Sequence, residues 1–210
     1  KKQIVILGGG FAGIAAAKRI WQREGKDYRI TLIDERETHI YTPDLYEIAT
    51  AFNEKITPEC LTKLKDTVAT PISQILANTN VEFIRDRISG IDLQKKTVGL
   101  MRKSELAFDY LVVAMGSVVN YYNIPGLEEY AFPLKTVTHA LAINCHMDMI
   151  FQKLWRDHEK KPVNICVGGG GATGVELSAE LPSWIAMLCK KYSYPRELVS
   201  IHLVEAGGAL

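Results

Sequence analysis

Six glycines set at matching intervals are the residues best suited to chemistry in this chain. Gly8, Gly10 and Gly13 form a G-x-G-x-x-G arrangement, and Gly169, Gly171 and Gly174 repeat it far along the sequence. Both follow a short apolar run, at 3–7 and 163–167, and both lead into a segment of helix formers. At such a strand-to-helix turn the first glycine makes the tight bend, the second lets backbone approach a pyrophosphate, and the third lets the helix pack closely on the strand. The helix start contributes unpaired N–H groups and a partial positive charge for the anion. Phe11 and Ala12 in the first turn, and Thr173 in the second, belong to the same candidate cradles.

Carboxylates stand where such a site needs them. Asp34 ends the next apolar run, 21 residues after Gly13, with Glu35 beside it; Glu205 ends the run after the second cradle, 31 residues after Gly174, beyond a loop at 192–196. An acid at this place accepts hydrogen bonds from ribose hydroxyls and repels a 2′-phosphate, so the second cradle suits NADH rather than NADPH. The plainer reading of Glu205 is a strand-end acid at a solvated edge. Glu176, two positions after Gly174, has two readings at this point: a partner of the helix dipole, or a carboxylate facing the reactive end of a bound dinucleotide.

The elements that position these residues are legible in outline. Strand runs at 3–7 and 28–33 flank a helix over 11–20, a βαβ unit implying a parallel sheet covered on both faces. Residues 38–53 lack a clean period and read as loop, and 57–76 shows helical spacing at Leu61, Leu64, Val68, Ile72 and Ile75. Short strand patterns at 81–84, 88–92, 97–100 and 110–114 suggest a small β-meander. A helix over 136–155 precedes the second unit, with its strand at 163–167, helix at 173–190 and strand at 200–204. The expected fold is α/β, with two Rossmann-like dinucleotide-binding βαβ units, parallel sheets and a meander. The expected domains are 1–117 and 118–210, the second incomplete.

Composition narrows the functions. With 47% apolar and 23% charged residues among 210, the chain is an ordinary globular one. A net charge of +1 gives no electrostatic reason to bind nucleic acid or an anionic membrane. Cys60, Cys145, Cys166 and Cys189 match neither a zinc site nor a CxxC redox pair, so reduced, buried thiols in a cytoplasmic protein are expected, with Cys166 in a core strand. His139, His146 and His158 do not form an i, i+4 metal pair, and no metal is expected. No apolar stretch of about 18 residues is present to span a bilayer.

The first cradle, the run HIYTPDLYEIA at 39–49, LVVAMGS at 111–117, FPLK at 132–135 and VGGGGATGVE at 167–176 together resemble type II NADH dehydrogenases, over essentially the whole chain. The resemblance implies an FAD/NAD(P)-binding fold, non-covalent FAD in the first domain, NAD(H) in the second, hydride transfer from NADH to flavin, and reduction of a quinone. It implies Glu176 between nicotinamide and flavin, Ala114, Met115 and Gly116 as the segment crossing near the flavin, Ile88 on a strand meeting the adenine, and Thr42 and Pro43 against the isoalloxazine ring. Met115 stands where similar enzymes carry Thr, which removes a hydroxyl. Similar enzymes continue with the rest of the NADH domain, a second FAD-contacting segment, a quinone site and a C-terminal membrane-binding region, so the 210 residues are expected to be a truncated piece with little turnover alone. On this reading the partners are NADH, a quinone in the full-length enzyme and a second copy in a homodimer. Membrane contact at the cytoplasmic face would come only through the C-terminal part. The rivals are a sulfide:quinone oxidoreductase using Cys60 or Cys145, another pyridine-nucleotide flavin oxidoreductase, and a non-catalytic NADH sensor.

Overall fold

The computed structural model describes residues 1–25, 27–54 and 57–208; residues 209 and 210, the end of the expected second domain, lie outside them. The first half of the chain runs β1 (Lys2–Leu7), α1 (Phe11–Glu24), β2 (Tyr28–Asp34), β3 (Thr38–Ile40), α2 (Leu45–Ala49), α3 (Pro58–Val68), β4 (Ala69–Pro71), α4 (Ile72–Ile75) and β5 (Val81–Arg85). It continues through β6 (Ile88–Asp92), β7 (Thr97–Leu100), β8 (Leu106–Ala107), β9 (Tyr110–Val113), α5 (Leu127–Tyr130) and α6 (Val137–Arg156). The last elements are β10 (Val163–Gly168), α7 (Ala172–Lys191) and β11 (Val199–Val204). They form two compact units, Lys1–Ile40 with Ala69–Val118, and Tyr41–Val68 with Val119–Leu210.

In the first unit the strands pair in parallel in the order β5-β2-β1-β9. Alternation along β1 supplies two cores. Ile4 and Ile6 pack with Ile14 and Ala17 of α1, Ile30, Leu32 and Ile72 on one face. Val5 and Leu7 pack with Ile33, Ile84, Val98, Leu100 and Phe108 on the other. The second face is covered by the antiparallel sheet β6-β7-β8. Each fully buried aliphatic side chain of this kind contributes about 1.5–3 kcal/mol.

Three expectations are corrected here. The strands at 81–85 and 110–113 join the parallel sheet rather than the meander, because Val81 and Ile84 fill apolar positions on its two faces beside β2, as Val112 and Leu111 do beside β1. The helical period over 57–76 breaks at Ala69–Pro71, which forms an antiparallel pair with Thr38–Ile40. Proline has no N–H to continue a helix and pushes the residue before it toward extended backbone; the next N–H, of Ile72, donates to the Glu37 carbonyl at 2.9 Å. Residues 38–53, read as loop, contain β3, a 3-10 turn at Thr42–Asp44 and α2.

In the second unit, β10 and β11 pair in parallel. One face packs Val167 and Val199 against Phe151 and Leu154 of α6 and Trp184, Ile185 and Leu188 of α7. The other face, with Asn164, Cys166, Ser200, His202 and Val204, is exposed among the described residues. Among the described residues the sheet is therefore covered on one side, and Cys166 is exposed rather than a core residue, because it occupies the alternate position to Ile165 and Val167. Thr136 caps α6 by accepting the His139 N–H at 3.2 Å. Pro182 lies inside α7, and every buried side chain of that helix is at Leu181 or beyond.

Residues 41–68 group with the second unit, so a single cut near Ser117 does not describe the chain. Buried Asn144 of α6 holds this segment: its Nδ2 donates toward the carbonyls of Ala51 at 2.8 Å, Ala49 at 3.2 Å and Ile48 at 3.4 Å, the last carbonyls of α2 and those just beyond. Lys191 adds a bond to the Asn53 carbonyl at 3.2 Å and an ion pair with Asp148 at 2.8 Å. No helix among the described residues is long and apolar enough to cross a membrane.

Candidate dinucleotide cradles

The two glycine turns are built alike. Gly8 has φ +103° and Gly169 φ +104°, a region open to glycine. The Gly8 N–H donates to the Ile33 carbonyl and the Gly169 N–H to the Val204 carbonyl, both at 2.8 Å. A Cβ on Gly13 would lie 1.8 Å from the Gly8 oxygen, and one on Gly174 would lie 1.9 Å from the Gly169 oxygen. The helices then start with the Ile14 N–H on the Gly10 carbonyl and the Val175 N–H on the Gly171 carbonyl, each at 3.0 Å.

The carboxylates also match. Asp34 Oδ2 accepts the Gly9 N–H at 2.6 Å, and Glu205 Oε2 accepts the Gly170 N–H at 2.5 Å. Each holds a second amide: Asp34 Oδ1 takes the Arg36 N–H at 2.8 Å, and Glu205 Oε1 takes the Gly207 N–H at 2.8 Å. The Gly207 and then the Gly170 amide hold the exposed Glu205 carboxyl below the usual carboxylate range. A carboxylate offers about four acceptor positions, so both acids keep capacity for ribose hydroxyls. Glu35 is exposed and pairs loosely with Arg87 at 3.9 Å.

The groups present fit a dinucleotide. Nothing lies within 4 Å of where a Cβ of Gly10 or Gly171 would stand, leaving room for an anion against bare backbone at each helix start. Behind the first turn the chain is closed: a Cβ on Gly8 would come 2.3 Å from the Ala114 oxygen. Phe11 and Ala12 are exposed at the first cradle, and Thr173 at the second. Met115 is 56% exposed, Gly116 takes φ +79°, and Ile88 is half-buried on β6 beside an irregularity in register. Glu176 is exposed on α7 in the second unit. Thr42 and Pro43 are exposed in the 3-10 turn before α2 and belong to that same unit rather than to the unit carrying the first cradle.

Sequence reasoning passes over three residues. His39 Nδ1 lies 3.0 Å from the Gly9 carbonyl oxygen, and its ring meets Phe11 edge-on at 4.7 Å between centroids. Asn144 holds α2 as described. Partial desolvation, then the carboxylates of Glu47, Glu176, Asp44 and Glu180, push the Tyr46 phenol up. The available signal was the asparagine on the apolar stripe of a helix; nothing in the spacing pairs His39 with Gly9. Among the described residues no group of three or more His, Cys, Asp or Glu could hold a metal.

The model of the pyridine nucleotide-disulphide oxidoreductases matches residues 2–209. A type II NADH:quinone oxidoreductase of Staphylococcus aureus is 30% identical over 209 residues, 98% of this chain and 49% of that protein. NDH2 from Plasmodium falciparum, solved in complex with NADH, is 26% identical with a TM-score of 0.81, covering 100% of this chain and 43% of that one. A sulfide:quinone oxidoreductase from Aquifex aeolicus is 26% identical with a TM-score of 0.72, covering 96% and 43%. The chain thus spans about half the length of the curated relatives it matches. Two matched glycine turns, a fold shared over the whole chain and a match from residue 2 to residue 209 lead to one conclusion: the chain belongs to the pyridine nucleotide-disulphide oxidoreductase family.

Proposed function

We propose that this chain holds FAD at Gly8–Gly13 and NADH at Gly169–Gly174, as the dinucleotide-binding portion of an NADH:quinone oxidoreductase. One observation carries the reading: the same turn, the same amide-to-acid bond and the same open approach occur twice in one chain. Bound FAD supplies an acceptor for hydride and a store for two electrons. The protein supplies the rest. Amides at each helix start bind pyrophosphate, Asp34 and Glu205 fix the ribose ends, and the Glu205 charge repels a 2′-phosphate. Glu176, exposed one turn into α7, presents a carboxylate at the reactive end of the NADH site, where it orients the nicotinamide and holds a proton near the hydride acceptor. A quinone would take the electrons at a site formed by other parts of the full-length protein, with peripheral membrane contact and a homodimer as further elements of this reading.

The sulfide:quinone reading is the weaker one. It needs a nucleophilic thiolate and, for one of its two candidates, burial pushes the Cys145 thiol up, with further increments from Asp148 and Cys60.

The deciding experiment is anaerobic addition of NADH, then NADPH, to the FAD-reconstituted protein while its visible flavin absorbance is followed. Bleaching by NADH alone is the expected result, and Glu176→Gln is expected to slow it with little change in NADH affinity. FAD binding without bleaching would instead favour a sensor.

A further inference from the structure

We infer that His39 is a positioning residue that aims the Gly10 amide at the dinucleotide pyrophosphate; the inference rests on the reading of the first cradle as an FAD site. A carbonyl oxygen only accepts hydrogen bonds, so the 3.0 Å contact between His39 and the Gly9 oxygen places the imidazole proton on Nδ1. The peptide joining Gly9 to Gly10 is trans and planar. Its N–H therefore points opposite to its C=O. With the Gly9 oxygen held by His39, the Gly10 N–H is turned away from the histidine, at the residue whose side is open.

That peptide is flanked by glycines on both sides, so its rotation meets little steric resistance from side chains of its own residues. Without the histidine it is free to turn and present its carbonyl oxygen, a partial negative charge, where the Gly10 N–H now points. The rest of Gly9 is already pinned. Its N–H is held by buried Asp34 at 2.6 Å, and a Cβ there would strike Ile72 at 2.5 Å. The ring of His39 is itself steadied by the edge-on contact with Phe11 and by the pairing of β3 with β4.

The test is equilibrium titration of the ligand-free protein with FAD and, separately, with NADH. His39→Phe keeps a ring against Phe11 and removes the donor, His39→Asn keeps an N–H near the same place, and His39→Leu replaces the Phe variant if that one does not fold. Loss of the donor is expected to raise the FAD dissociation constant about tenfold, in keeping with loss of a single anion-facing hydrogen bond. His39→Asn is expected to recover most of it, and NADH affinity to stay unchanged in every variant. Nitrogen NMR of the ligand-free protein is expected to find the proton of neutral His39 on Nδ1. FAD affinity unaltered in both donor-free variants, or a proton on Nε2, would overturn the inference while leaving the FAD reading intact. Failure of the wild-type protein to bind FAD at all would remove both.

Discussion

Replacing Gly174 with alanine sets a methyl group 1.9 Å from the Gly169 carbonyl oxygen, a backbone atom with no flexible side chain to yield. The helix start must shift, at a cost of about 1–3 kcal/mol or more. We expect NADH binding to fall at least tenfold while FAD binding holds, as read by fluorescence titration; equal loss of both ligands would mean that the change spreads beyond its own turn. Glu205 gives a pH prediction. Its folded-state pKa lies below the ordinary value of about 4.3. The contribution it makes to the folded turn is thus complete above that value and is lost as pH falls through the lower, folded one. NADH affinity should accordingly be flat between about pH 8 and pH 5 and weaken only below the ordinary carboxylate range; a decline already between pH 7 and pH 5 would assign the dependence to another group. The glycines can be picked out by local spacing, and the acids by the fixed place of a strand end in a βαβ unit, although their amide partners lie 25 and 35 positions away. His39 cannot, since no recurring motif pairs a histidine with the carbonyl of the glycine turn.

At the level of elements, α2 illustrates how a short helix is kept. Five residues cannot sustain a helix by propensity alone, and its end is held by the side-chain amide of Asn144 reaching the carbonyls of Ile48, Ala49 and Ala51. Asn144→Ala leaves those buried acceptors without this donor and should cost about 1–3 kcal/mol, measurable as a lowered thermal midpoint, with Asn144→Asp no better because it offers no N–H. An unchanged midpoint would show that water replaces the amide at no cost. The sequence could not show α2, because its apolar positions are too few to establish a period. It did show α6 and α7, whose apolar stripes repeat over many turns. The break at Pro71 had a local signal, the proline itself, but the helical spacing continues through Ile72 and Ile75 and masks it. The assignment of 81–85 and 110–113 to the parallel sheet depends on which strands become neighbours, and an isolated apolar run does not specify its neighbour.

Over the whole molecule, the sequence conveyed the repeated βαβ plan but not the membership of residues 41–68, which is decided by long-range packing against α6 and α7. The two units also distribute their anchoring differently. In α1 the buried residues are Gly13, Ile14 and Ala17, so the helix is fastened to its sheet from the first turns. In α7 the fully buried residues begin at Leu181, with Leu177 only partly buried against the same core, and the next residue is Pro182, which has no N–H to offer the carbonyl of Ser178. The part of α7 that carries Thr173, Gly174 and Glu176 is therefore separated from the anchored part by a missing hydrogen bond. Local opening free energy follows local burial. Amide hydrogen exchange is expected to run faster over 175–181 than over 184–190 in the ligand-free protein, and NADH is expected to slow the first segment alone. Uniform protection along α7 would refute this. The expected consequence is that α7 opens as two pieces, its far end keeping the core closed while its less deeply buried near end yields to the ligand, so that traffic at the second cradle need not put the fold at risk.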